Sequence, residues 1–321
     1  MIGLDLEKLG AYLGTSGLTG ELIAGGRSNL TYRVSGPDGP FIVRRPPLGH
    51  VLATAHDMAR EHRIITALGP TGVPVPRTIA LCEDVSVIGA PFYVMEYVAG
   101  HIYRTAAQAA SLGPARLAQA AASMMGVLAT LHEIDPASVG LGDFGRPAGY
   151  LERQLTRWRK QLDASRSRDL PGIDKLHERL AASAPEPIYI GIVHGDYRLD
   201  NLIMNDADQV AALLDWEMAT LGDQLTDVGL LLMYWELLVT GRGMFGAPPP
   251  DARFPSDLAS LYPRDTPDLN WYIAFANYKL AVIAEGIHFR YQAGQTVGEG
   301  FEKMGAAVPV LVARGHELLE G

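Results

Sequence analysis

Cys82 is the only cysteine in this 321-residue chain. One thiol excludes an intramolecular disulfide and a cysteine-built zinc cluster, and such sparing use fits a reducing, cytoplasmic setting. Basic residues are also in deficit: 27 Lys and Arg against 36 Asp and Glu leave a formal net charge of −9. Neutralising phosphates takes a basic surface, so neither nucleic acid nor an anionic membrane is expected as a partner. The segment Met1 to Leu13 carries Asp5, Glu7 and Lys8 among its apolar residues. It lacks the basic start and unbroken apolar run of a signal peptide. The most apolar stretch, Val228 to Val239, is too short to span a bilayer, contains Glu236, and reads as a buried helix. No internal repeat or low-complexity segment is found.

What is present divides into two parts. The first hundred residues read as strands with one helix. Leu18 to Ile23 and Leu30 to Val34 flank the turn Gly25-Gly26-Arg27-Ser28-Asn29. Phe41 to Arg44 follows a Pro/Gly turn, and Thr54 to Leu68 is the helix. Arg77 to Leu81 and Phe92 to Tyr97 are two more strands. Beyond Gly100 helices dominate: Ala115 to His132, Leu151 to Leu162, Ile173 to Ala182, and most of the chain from Asp223 onward. Short strands Ile188 to Val193, Leu202 to Met204 and Val210 to Leu214 interrupt them.

Those short strands frame the chemistry. His194-Gly195-Asp196 is followed five residues later by Asn201, and Val210 to Leu214 ends on Asp215. A positioned carboxylate such as Asp196 can orient a hydroxyl and take its proton. An amide and a carboxylate, Asn201 and Asp215, supply the oxygen donors with which Mg²⁺ is held against ATP phosphates. Each alone could be a turn former or a strand-end cap; the combination implies phosphoryl transfer. Glu217 lies two residues past Asp215, so in an extended segment both side chains share a face. It is a further metal ligand, a water-positioning group or a surface acid. In the turn between the first two strands, Gly25 and Gly26 would let backbone N–H groups approach phosphates, and Ser28 adds a hydroxyl. A plain hairpin is the competing reading. Asp227, near the start of an apolar helix, can accept backbone N–H bonds.

This order of motifs resembles the aminoglycoside phosphotransferase and choline kinase family, which has a protein-kinase-like fold. Within it, the chain is most similar to bacterial phosphotransferases related to the kinase-like domain attached to some animal acyl-CoA dehydrogenases. The resemblance runs roughly from Gly17 to Tyr291 and rests on His194-Gly195-Asp196, Asn201 and Leu214 to Ala219, with Leu131-His132 and Asp223 to Gly229 in support. It implies an α+β, bilobal fold: a β-rich N-lobe over residues 1–95, a hinge at 96–100 and a mainly helical C-lobe over 101–321. It implies that Glu96 and Val98 offer adenine their backbone groups at the hinge. His194 and Asp227 become supports of the catalytic loop. Arg44 is a departure, because the fold usually places Lys there on the α- and β-phosphates. Arg44 is taken as the phosphate contact and Glu61 as its ion-pair partner. The substitution also keeps open a non-catalytic nucleotide-binding module.

Only eleven residues separate Asp215 from Asp227. That is too few for the activation segment and peptide-docking region of a protein kinase, so a small-molecule hydroxyl acceptor is expected. A polycationic acceptor wants carboxylates and an anionic one wants Lys or Arg. Lys279 and Arg290, eleven residues apart on one helix, return to within about 20° of one stripe. They are the substrate candidates, with a solvated face as the alternative. The subfamily resemblance points to a hydroxy acid or hydroxyacyl compound ahead of an aminoglycoside.

Overall fold

The computed structural model describes residues 1–23, 29–48, 57–241, 246–294 and 303–320. Its N-terminal part is built on a five-stranded antiparallel sheet. In chain order its elements are α1 (Leu6–Leu13), β1 (Thr19–Leu22), β2 (Leu30–Gly36), β3 (Gly39–Arg45), α2 (Met58–Leu68), β4 (Thr78–Cys82), α3 (Val85–Ile88) and β5 (Phe92–Glu96). The spatial order is β1-β2-β3-β5-β4. β2 pairs with β3 from Leu30↔Arg45 to Gly36↔Gly39, and β3 pairs with β5 so that Arg44 faces Tyr93.

β5 is buried on both faces, which is why Phe92 to Met95 read as a continuous apolar run. One face of the sheet carries Tyr32, Val34, Val43, Phe92 and Val94 against a small core that includes Leu4, Leu9 and Ile88. The other carries Ile42, Tyr93 and Met95, which join Ile64, Ile65 and Leu68 of α2 in the main core. α1 was not expected from the sequence. Asp5 caps it by accepting from the N–H groups of Glu7 and Lys8, and left-handed Gly14 ends it.

The C-terminal part adds α4 (Ala106–Ala110), α5 (Gly113–Glu133), α6 (Tyr150–Ser165), α7 (Ile173–Ala182), β6 (Ile190–Val193), β7 (Leu202–Met204), β8 (Val210–Leu213), β9 (Thr220–Asp223), α8 (Leu225–Thr240), α9 (Asn270–Gln292) and α10 (Met304–Leu318). Two small antiparallel pairs, β6 with β9 and β7 with β8, display the loops of interest. Thr220–Asp223 is a strand that the sequence did not mark, and the helix expected from Asp223 begins at Leu225. α8 and α9 are buried on nearly every side and cross where Gly229 meets Tyr272: a Cβ at 229 would lie 2.6 Å from the Tyr272 backbone carbon. This close crossing fixes α9 beneath the loop after β6. No helix among the described residues is long and apolar enough to cross a membrane.

Candidate active site

The loop between β6 and β7 carries His194 to Asn201, and a buried acid holds it from below. Asp227, on the first turn of α8, is fully buried. Its two carboxylate oxygens accept the N–H groups of His194 at 2.6 Å and Gly195 at 2.8 Å. His132 Nε2 lies 3.5 Å away. Burial opposes the charge on Asp227, but the His132 contact and the N–H bond from Gly195 outweigh it, so its pKa falls below the usual carboxylate value. His194 is buried too. Its Nε2 donates to Leu214 O at 2.9 Å while Nδ1 accepts the Asp196 N–H at 3.1 Å, an arrangement that requires a neutral ring. Burial lowers its pKa accordingly. Gly195 has φ +82°, and a Cβ there would stand 2.8 Å from Met218 O, so only glycine fits between the two loops.

Asp196 and Asn201 meet directly. Asn201 Nδ2 donates to Asp196 Oδ2 at 2.9 Å and to Asp196 O at 2.8 Å. Committing the nitrogen leaves Oδ1 as the atom that could ligate a metal. Arg198 Nε lies 3.3 Å from Asp196 Oδ2 and 3.2 Å from Asp200. Asp215 follows β8 in the left-handed region, φ +67° and ψ +64°, one of two non-glycine residues with positive φ among those described. Such a conformation is costly for most side chains and is tolerated by Asp.

Asn201 and Asp215 line one cavity of about 350 Å³ between sheet and helices. Arg44, Met95, Glu96 and Val98 line it as well. Its donors are an amide oxygen and a carboxylate. Mg²⁺ takes oxygen ligands from one or two protein groups plus phosphates, and this set fits it. Among the described residues, no cluster of three or more His, Cys, Asp or Glu could hold a metal unaided. Glu96 closes the cavity's edge with its side chain tied to the Arg77 N–H at 2.9 Å.

Arg44 links sheet to loop. Its Nε lies 2.9 Å from Glu61 and its Nη2 2.5 Å from Asp215, with Glu217 at 3.9 Å. Glu61 is 2% exposed and also accepts from Asn29 Nδ2 at 2.8 Å and Tyr93 OH at 3.0 Å. Burial raises its pKa, and the Arg44 charge opposes that rise.

Three expectations need correction or limits. Asp215 and Glu217 do not share a strand face, because left-handed Asp215 and the 3₁₀ turn Trp216–Met218 replace extended backbone. Glu217 faces a second cavity of about 320 Å³ and accepts from Asn29 Nδ2 at 3.2 Å. Lys279 and Arg290 do not lie together. Lys279 is buried and donates to Gly195 O at 2.5 Å. Arg290 is exposed on the last turn of α9, about 16 Å along the axis, and lines neither cavity. Gly25, Gly26 and Ser28 lie outside the described residues. Asn29 and Tyr93 went unrecognised in the sequence. Only the β3–β5 register, which sets Tyr93 beside Arg44, could have singled out the tyrosine.

A sheet-topped cavity over a helical base, with an acid–amide pair and a strand-end acid at their junction, defines a kinase-like phosphotransferase. The sequence comparisons agree: residues 19–245 match the model of the phosphotransferase enzyme family (APH), and the chain belongs to that family. It is 34% identical to acyl-CoA dehydrogenase family member 11 of Gallus gallus, over 91% of this chain and 39% of that protein. It is 35% identical to family member 10 of Mus musculus, over 84% of this chain and 26% of that protein. The chain thus spans well under half of either animal relative. A crystal structure from Ralstonia eutropha, whose name offers aminoglycoside phosphotransferase as a candidate activity, superposes with a TM-score of 0.83 at 33% identity, covering 98% of both chains. An aminoglycoside phosphotransferase in ternary complex with AMP-PNP and hygromycin B shares the fold, at TM-score 0.64 and 12% identity over 98% of this chain and 97% of that one.

Proposed function

We propose that this protein is an ATP- and Mg²⁺-dependent small-molecule kinase that moves the γ-phosphoryl group to a hydroxyl. The observation that carries the reading is the convergence of Asp196, Asn201 and Asp215: Asn201 bonds Asp196 and shares a cavity with Asp215. Asp196 orients the acceptor hydroxyl and takes its proton. Asn201 Oδ1 and Asp215 hold the metal, which when bound neutralises charge on the phosphate oxygens. Arg44 steadies the phosphates, Glu96 and Val98 edge the adenine site, and Gly25, Gly26 and Ser28 serve as further phosphate contacts. Glu217, bonded to Asn29, faces the acceptor side rather than serving as a first metal ligand. His194 and Asp227 hold the loop in shape.

The acceptor is a hydroxy acid or hydroxyacyl compound rather than an aminoglycoside. Buried Lys279 beside the catalytic loop favours an anion, and the animal relatives carry acyl-CoA dehydrogenase in their names. The ion pair between Arg44 and Asp215 supports a second reading, a nucleotide-binding module without turnover. The deciding experiment incubates wild type, Asp196→Ala and Asp215→Ala with ATP, Mg²⁺ and pooled hydroxylated metabolites, read by phosphate mass gain, beside calorimetry with AMP-PNP. Product from wild type alone and Mg²⁺-dependent AMP-PNP binding are expected. Full turnover in both variants would refute the mechanism. Nucleotide binding indifferent to Mg²⁺, with no product from any pool, would establish the non-catalytic module.

A further inference from the structure

The second cavity sits against the catalytic loop, with Gly195, the residue before Asp196, in its lining. Its lining carries both signs: Asp57, Glu61 and Glu217, Arg60 from α2, and two further cations, Lys279 from α9 and Arg157 from α6. Both cations lie over the same ring: Lys279 Nζ and Arg157 Cζ are each 5.4 Å from the Trp158 centroid. Neither has a carboxylate within 4.0 Å among the described residues.

Lys279 is the unusual member. It is 7% exposed, and its one hydrogen bond among the described residues goes to Gly195 O. An ammonium has three donors, and burying one without a carboxylate is costly. Buried cations elsewhere in the chain are spent on structure. Arg45, 5% exposed, donates to the carbonyls of Pro46, Gly3 and Ile88. Half-buried Arg60, within this cavity's own lining, is likewise committed, donating to the carbonyls of Phe144 and Ala219. Buried Lys279 has no such saturation, and Arg157 is exposed beside it. Each also repels the other, and burial and the Arg157 charge both depress the Lys279 pKa, although Asp196 and Asp227 pull against them. Two like charges set beside one indole ring and lining one cavity are stabilised by an anion between them.

We infer that this cavity takes the anionic end of the phosphoryl acceptor, with Lys279 and Arg157 gripping its carboxylate or phosphoryl group and its hydroxyl directed to the catalytic loop. The inference rests on the phosphotransferase reading above. It defines the acceptor as a hydroxylated small anion, whose charge meets Lys279 and Arg157.

The test uses the full chain carrying 5-fluorotryptophan, with the Trp158 ¹⁹F resonance assigned by Trp158→Phe. Sodium acetate and sodium sulfate are titrated against sodium chloride at matched ionic strength. A saturable shift of the Trp158 resonance by acetate or sulfate is expected, weakened at least tenfold in Arg157→Gln, whose exposed site spares the core. A response to acetate alone assigns a carboxylate, and one to sulfate alone a phosphoryl group; either supports the inference. No shift beyond chloride, an equal shift with choline chloride, or an undiminished shift in Arg157→Gln overturns it. AMP-PNP with Mg²⁺, read in the same samples at Trp216, which lines the first cavity, tests the phosphotransferase reading separately. A silent Trp216 resonance with a responsive Trp158 would sink that reading and leave the anion site standing.

Discussion

Removing the charge of Arg44 tests whether the junction between sheet and loop is held by a buried ion network. The Arg44 side chain is 12% exposed and Glu61 is 2% exposed, with 2.9 Å between them. Breaking a buried pair from one side leaves the other charge without compensation, which costs about 3–5 kcal/mol. Asp215, 28% exposed, keeps water as a partner and adds little. Arg44→Met should therefore lose roughly that amount in urea unfolding without nucleotide. Adding Glu61→Gln should restore about 1–2 kcal/mol, because a neutral amide can still accept from Asn29 and meet the Tyr93 hydroxyl. The pH dependence follows from the sign of the Glu61 shift. Burial raises its folded pKa, so its stabilising contribution is complete below the unfolded value of about 4.3 and is lost as pH rises through the folded value. Without Arg44 the folded value climbs further, so the variant's deficit should narrow as pH falls through that value. A loss under about 1 kcal/mol, or a Glu61→Gln change that merely adds its own loss, would refute the reasoning.

Asp227→Ala leaves the buried N–H groups of His194 and Gly195 without acceptors, at about 1–3 kcal/mol each; urea unfolding should show the loss, and an unchanged midpoint would deny Asp227 its supporting role. Burial depresses the Lys279 pKa, so the unfolded chain binds more protons between that value and about 10.4, and stability rises with pH across the window. Lys279→Met should flatten that rise in unfolding midpoints taken up to pH 10. Gly229→Ala forces a methyl against the Tyr272 backbone and should cost roughly 1–3 kcal/mol by overpacking the crossing of α8 and α9. Retention of the wild-type thermal midpoint would mean the crossing relaxes freely.

Much of this site was legible because its signals are local. Leu202–Met204 and Val210–Leu213 are short apolar runs about a polar turn, and the hairpin they form lies where the pattern placed it. The helix read as Ile173 to Ala182 has those limits. Failures occurred where tertiary context overrides pattern. α1 has only eight residues and draws its order from its cap and from packing under the sheet. Thr220–Asp223 carries Gly222 and a terminal acid, yet pairing with β6 makes it a strand. The stripe assigned to Lys279 and Arg290 assumed a helix with one wet face. α9 is buried around most of its circumference as far as Ile287, so equal angular position did not mean equal exposure.

The site's two halves are held by different means. Below, the catalytic loop is anchored to the helical core by Asp227, His194 and Lys279, all at least nine-tenths buried. Above, the sheet side reaches the neighbouring segment after β8 through polar side chains: Arg44 to Asp215, Asn29 to Glu217, and Arg60 to the Ala219 carbonyl. A ligand entering the first cavity competes for Asp215 with Arg44. A ligand in the second sits against Glu217, which Arg44 and Asn29 also contact. Under the proposed function, nucleotide and acceptor therefore act on one shared group of side chains while the loop carrying Asp196 stays fixed. Coupling between the two ligands would then pass in part through Arg44, Asn29 and Glu217, and binding free energies measured for each ligand with and without the other give its size and sign.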